Sequence, residues 1–354
     1  MEQKKEELLA YICQHIKEYV PEKYQDCDLD TRTVVRANDR KMTGISLSVK
    51  KADGSSIAPC VYLEDLLDAH MKAKDMQDME MLGEKDYRKI CFQMGEVFCG
   101  ALKETEQISM ERFLDFAEMK PNIQVYICDA EKNQKMLSGV VHEQQGDFAQ
   151  YYVVAGYPFK NSSIKITDGI MEQWGTTREE IHRAAMENAK KNMMFLNIGE
   201  FLTKAVPGCG ISPVPMYILT NVDQKFGAGG IMNPDIQDRI AKELKGDYYV
   251  LPSSKHEVIL LPEEDAMPLE EMTELVQSVN RSEVSEADFL SDKVQHYSAY
   301  AHVLENAGQY VRNAEKDPEK YGKKHAAQEK AVPISLLRKN MEYHTYPKYF
   351  KKYM

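Results

Sequence analysis

The stretch that decides the fold runs from Met216-Tyr217-Ile218-Leu219-Thr220-Asn221, through Asn233-Pro234-Asp235-Ile236 and Tyr248-Tyr249-Val250-Leu251, to His256-Glu257-Val258-Ile259-Leu260-Leu261 and Pro268-Leu269. Met216–Thr220 is a short apolar run and reads as a strand. Phe226-Gly227-Ala228-Gly229-Gly230 is a small-residue turn. Asn233 is an N-cap with Pro234 at the first helical position, Ile236, Ile240 and Leu244 recur at helical spacing, and Gly246 ends the helix. Tyr248–Leu251 and His256–Leu261 are two further strands around the loop Pro252-Ser253-Ser254-Lys255. Pro268 opens a helix carrying Leu269, Met272, Leu275, Val276 and Val279. The order is β-α-β-β-α.

Working outward, residues 121–155 predict an antiparallel meander: strands at Ile123–Cys128, Met136–His142 and Phe148–Ala155, with Ser163–Thr167 as a fourth. Thr177-Arg178-Glu179-Glu180 is a capping box, since Thr177 can accept from the third helical amide while Glu180 reaches back. Near the N-terminus, Leu8, Leu9, Ile12, Ile16, Tyr19 and Val20 mark an amphipathic helix that Pro21 stops. A β pair follows around the turn Asn38-Asp39, then an extended stretch Ile57–Leu63 and a helix to Met71. Ile90, Met94, Val97, Phe98 and Leu102 suggest a helix interrupted at Gly95 and Gly100. Ser285-Glu286-Ala287-Asp288 would cap one more helix running towards His302. The expected fold class is α+β: two α/β modules around a central antiparallel meander, with a basic C-terminal tail. The expected domains are 1–120, 121–309 and the tail 310–354.

Composition narrows the function. The 354 residues carry a formal charge of -11 and are 43% hydrophobic, enough for a sizeable core. Residues 310–354 hold 11 Lys/Arg and 5 Asp/Glu, a balance of +6, which leaves -17 on the rest. An acidic body argues against broad nucleic-acid binding. The tail interleaves its cations with Tyr310, Tyr321, Tyr343, Tyr346, Tyr349, Phe350 and Tyr353, a pattern that suits single-stranded nucleic acid but also docking to the acidic body or to a protein partner. A protein partner or self-docking ranks ahead of nucleic acid. No apolar run approaches the roughly 18 residues of a membrane-spanning helix, and Met1-Glu2-Gln3-Lys4-Lys5-Glu6-Glu7 lacks the apolar segment of a secretory signal. A cytoplasmic location without a membrane partner is expected. The seven cysteines are odd in number and lack C-x-x-C spacing, so they read as reduced, buried thiols.

Candidate chemistry concentrates in Ser253-Ser254-Lys255-His256-Glu257, with Asn221 at the end of the neighbouring strand. Ser, Lys and His could supply a nucleophile and a base. Adjacent residues of a hairpin alternate faces, however, and G-x-S-x-G is missing, so a polar loop is the plainer reading. His256-Glu257 begins like H-E-x-x-H but lacks the second histidine. The glycine turn at 226–230 sits where phosphate is often held, yet no G-K-[ST] follows it. The acidic residues Asp223 and Glu263-Glu264-Asp265 lack the spacing of a calcium loop, and His296 and His302 are six apart, off one helical face. No metal or cofactor is expected.

Three stretches carry a resemblance. They are Ile57-Ala58-Pro59-Cys60-Val61-Tyr62-Leu63-Glu64; Ile166-Thr167-Asp168 through Trp174-Gly175, Glu179-Glu180-Ile181 and Asn188; and Met216–Asn221 with Phe226-Gly227-Ala228 and Leu251–Val258. Leu290-Ser291-Asp292 looks like a closing motif. Together they resemble a domain-of-unknown-function family from anaerobic gut bacteria, over about residues 8–305. The resemblance implies the extent of the domain and no mechanism. The expected function is therefore a non-enzymatic protein-interaction protein. The alternatives are a hydrolase or transferase using Asn221, Ser253, Ser254, His256 and Glu257, and nucleic-acid contact through residues 310–354.

Overall fold

A computed structural model describes residues 2–50, 54, 56–105, 108–157, 162–198, 215–252 and 254–322. Ser253, Cys209 and residues 323–354 of the expected basic tail lie outside the described residues. Helices and antiparallel sheets occur together, an α+β chain, as expected. The chain divides into two compact units, one from residues 1–115 with 156–162, the other from 116–155 with 163–354.

In the first unit, α1 (Glu2–His15) and the tight turn after it bury Leu8, Ile12, Ile16 and Val20 on one face. β1 (Asp28–Val35) and β2 (Lys41–Lys50) pair antiparallel around Asn38 and Asp39, at φ 61° and 50°. Asparagine and aspartate tolerate that left-handed backbone better than most residues. β3 (Ser56–Ile57) and β4 (Cys60–Tyr62) both pair with β2. α2 (Leu63–Ala73) follows, and then α3 (Glu84–Thr105), which runs unbroken through Gly95 and Gly100. Gly95 is a contact rather than a break: a Cβ there would lie 2.4 Å from Tyr19 Cβ. The close approach of α1's exit to α3 demands glycine, and the helix absorbs its lower propensity through packing. Asp86 ties α2 to α3. Its carboxylate takes a hydrogen bond from Lys74, lies 3.0 Å from His70 Nε2 and accepts from Gly83 N–H at 3.0 Å. The Lys74 bond first, then the Gly83 amide, hold Asp86 well below the usual carboxylate range against its burial. α4 (Met110–Leu114) closes the unit, capped by the Ser109 hydroxyl.

The second unit opens with α5 (Phe116–Met119) and β5 (Ile123–Asp129). A strand is expected at 136–142, but the chain forms α6 (Gln134–Leu137) and delays β6 to His142–Gln145. Asp129 causes the difference: its carboxylate accepts from Glu131 and Lys132 N–H, and Asn133 bonds its carbonyl, so the chain curls after β5. β7 (Phe148–Ala155) pairs with β5 on one side and with β6 and β8 (Ser163–Lys165) on the other, all antiparallel. α7 (Asp168–Trp174) and α8 (Arg178–Asn192) follow, and the reciprocal bonds between Thr177 and Glu180 are both made. Trp174 is buried beside Phe116, at 5.6 Å between ring centres.

β9 (Met193–Asn197), β10 (Tyr217–Asn221), α9 (Pro234–Leu244), β11 (Tyr248–Leu251), β12 (Val258–Pro262) and α10 (Leu269–Glu283) contain the expected β-α-β-β-α order. Asn233 caps α9 by accepting from the amides of Asp235 and Ile236. No helix runs from 285 to 302. One capped turn at Ser285–Asp288 gives way to β13 (Gln295–Ser298) and β14 (Val303–Asn306), then α11 (Ala307–Lys316), capped by Asn306. The last two strands complete a six-stranded antiparallel sheet, ordered β14-β13-β11-β12-β10-β9. Sheet pairing outweighs the local capping signal there, because all four residues of β13 are buried in the sheet. Met272, Leu275, Val276 and Val279 of α10 pack on Ile218, Leu251, Ile259 and Leu261 of the sheet. Among the described residues, no helix is long and apolar enough to cross a membrane.

Candidate functional site

The polar string lies in the connection between β11 and β12, beside the glycine turn that follows β10. Among the described residues, the side chains of Ser254, Lys255, His256 and Glu257 are each met by a neighbour. Ser254 Oγ donates to Glu257 Oε1 at 2.9 Å and accepts from His256 N–H at 3.0 Å. The serine therefore closes its own loop and does not touch the imidazole.

His256 is held from both ends. Its Nδ1 accepts from Phe226 N–H at 3.1 Å, and its Nε2 lies 3.0 Å from Asp288 Oδ1. A backbone amide can only donate, so Nδ1 carries no proton, and the Nε2 proton of the neutral ring goes to Asp288. The His256 carbonyl also accepts from Gly227 N–H at 2.9 Å and from Thr220 Oγ1 at 2.9 Å. Phe226 sits at φ 57° in left-handed backbone, strained for an aromatic residue. Its ring stacks on Tyr126 at 4.3 Å and lies 5.2 Å from the His256 ring. His256 thus fastens a strained turn to the β11–β12 loop.

Asp288, from the one capped turn before β13, is the residue that sequence reasoning missed. It receives His256, an ion pair from Lys255 Nζ at 3.1 Å and the Ser285 hydroxyl at 2.8 Å. Burial pushes its carboxyl up, but the His256 hydrogen bond and the Lys255 charge outweigh burial and hold it well below the usual range. Thirty-two residues separate His256 from Asp288, so the only local signal was Ser285 three positions before Asp288. Glu257 goes the other way. Its carboxyl is enclosed by protein, and burial pushes its pKa up against the Ser254 hydrogen bond.

Asn221 is turned elsewhere. Its Nδ2 donates to Lys225 O at 2.7 Å and its Oδ1 accepts from Lys225 N–H at 3.0 Å, which closes the turn after β10. It also lines a recess with Gln124, Asn188, Asn192, Asp223 and Phe226. That recess has a volume of about 20 Å³, room for a single water and little more. Ser254, His256 and Glu257 do not line it.

The glycine turn is explained by backbone approach. A Cβ at Gly227 would lie 2.3 Å from Asn221 N, and one at Gly229 would lie 2.2 Å from Val125 O. These glycines let the turn lie against β5 and β10. Among the described residues, the six cysteines are free thiols, and burial pushes Cys91 up to about 12, away from thiolate reactivity.

Comparison with known proteins gives one match. A family model described as a family of unknown function (DUF5688) covers residues 5–299. No curated protein and no solved structure matches the chain.

Proposed function

Because the chain belongs to the family of unknown function DUF5688, a membership that names no chemistry, we propose from the geometry that it is a non-catalytic, cytoplasmic protein-interaction protein. One observation carries this reading. Both ring nitrogens of His256, the strongest candidate base in the sequence, are committed: one to a backbone amide and one to Asp288. A general base needs a free nitrogen within reach of a proton to be moved. Ser254, the candidate nucleophile, is bonded to Glu257 rather than to the ring.

The charge indicates the partner. Residues 1–309 carry 34 Lys/Arg against 51 Asp/Glu, an acidic field that steers a basic protein surface and repels nucleic acid.

The test has two arms. A tagged full-length chain is used to capture partners at low salt, and the captured protein is then purified and titrated against the chain. The reading expects a basic protein whose affinity falls as salt rises. In parallel, the chain and its His256→Gln variant are assayed against panels of ester, amide and phosphoryl substrates. Turnover by the wild type that disappears in a folded His256→Gln variant would overturn the proposal.

A further inference from the structure

At one end of the six-stranded sheet, three side chains converge from positions far apart in sequence. Asp247 stands just before β11 and Glu263 just after β12, joined by a Glu263 N–H to Asp247 O bond of 3.0 Å. His296, on β13, is opposite Tyr249 and shares its sheet face. One ligand-capable atom from each of Asp247, Glu263 and His296 lies within 4.8 Å of the other two.

His296 makes this more than an acidic cluster. Its side chain is 0% exposed, and neither ring nitrogen has a hydrogen-bond partner. Tyr310 stacks on the ring at 3.6 Å and Tyr249 meets it edge-on at 4.8 Å, so aromatic walls fix its plane. A buried imidazole with both nitrogens unmet is costly, and such groups are rare without a function. Nε2 lies 3.8 Å from Glu263 Oε2, too far for a hydrogen bond. Two ligands sharing one tetrahedral ion at bond lengths of about 2.1 Å stand roughly 3.4 Å apart. The gap therefore fits an ion between them better than a bond.

We propose that Asp247, Glu263 and His296 bind one divalent transition-metal ion of the zinc type. One imidazole and two carboxylates suit such a cation, and the two acidic groups balance its charge. Three protein ligands leave a coordination position open. Hydrogen bonds from outside the cluster orient Asp247, whose Oδ1 accepts from Ala299 N–H at 2.8 Å and whose Oδ2 accepts from the Tyr310 hydroxyl at 3.3 Å. Asp247 and Glu263 are half-buried, which gives an ion a route in. The site is separate from the His256 loop and does not depend on the interaction reading.

The test uses the full chain, stripped of metal by a chelator and titrated with Zn²⁺ alone in competition with a chromogenic chelator. One Zn²⁺ per chain is expected. Glu263→Gln should weaken binding at least tenfold, while Glu264→Gln, one residue away, should leave it unchanged. Glu263 lies in a turn, so its variant is the safer one. Should His296→Gln fail to fold, nuclear magnetic resonance of the wild type replaces it, with the His296 ring signals expected to shift on Zn²⁺ addition. Absence of stoichiometric binding overturns the proposal. So does binding that Glu263→Gln leaves intact, or binding that leaves the His296 ring signals unmoved.

Discussion

Replacing His256 by alanine separates a structural histidine from a catalytic one. The substitution removes the acceptor of Phe226 N–H. An unmet amide costs about 1–3 kcal/mol, and the half-exposed setting of Phe226 selects the lower end, about 1 kcal/mol. Asp288 loses its imidazole donor, but its side chain is 38% exposed, so that bond is discounted to about 0.5–1 kcal/mol. The ring contact with Phe226 at 5.2 Å adds about 1 kcal/mol. The expected loss is about 3 kcal/mol, large for a loop residue in an antiparallel sheet protein. The assay is urea unfolding followed by fluorescence of Trp174, the single tryptophan and a member of the second unit. The midpoint should fall while the slope stays constant, which marks a change in stability rather than in compactness. A cycle with Asp288→Asn should return a coupling of about 1 kcal/mol. A loss under about 0.5 kcal/mol would refute the reasoning, because surface substitutions without a structural role fall in that range.

The glycine turn makes a graded prediction. Gly229→Ala drives a Cβ onto the Val125 carbonyl and should cost about 3 kcal/mol or more, whereas Gly230→Ala meets only the flexible end of Met193 and should cost about 1 kcal/mol; urea midpoints read both. Glu257→Gln keeps the acceptor for Ser254 but removes a buried charge. Because the folded pKa of Glu257 is raised, its ionisation destabilises the fold as pH climbs above the free value of 4.5, so the variant's stability relative to wild type should rise between pH 4 and pH 8. Asp86→Asn has the opposite sign. The lowered folded pKa means that the Asp86 contribution is fully present above 3.8 and fades as pH falls towards its folded value, so the variant should lose about 2 kcal/mol at pH 7 and less at pH 2.5. Circular dichroism of unfolding at the two pH values checks it.

Local patterns were legible where local physics decides. The Thr177–Glu180 box, the Asn233-Pro234 cap and the turn at Asn38-Asp39 are each made by residues within four positions of one another. The strand Gln295–Ser298 was hidden because Gln-His-Tyr-Ser has no apolar alternation; its burial comes from β11 and β14 on either side. Gly95 read as a helix break because the partner that demands it, Tyr19, is distant in sequence. The polar string at 254–257 was visible as a string, but its meaning was not. His256 acquires its role from Phe226 and Asp288, 30 and 32 residues away. The grouping of His296 with Asp247 and Glu263 likewise depends on strand register.

The protonation state of the His256 ring tests the account most directly. A long-range proton–nitrogen spectrum of the imidazoles at pH 8.5, assigned with His256→Gln, reports which nitrogen carries the proton. The account predicts a single tautomer for His256, protonated at Nε2 and bare at Nδ1, with the Phe226 amide protected from exchange. A ring protonated at Nδ1, or one averaging between tautomers with an unprotected Phe226 amide, would free the imidazole for proton transfer and contradict the account.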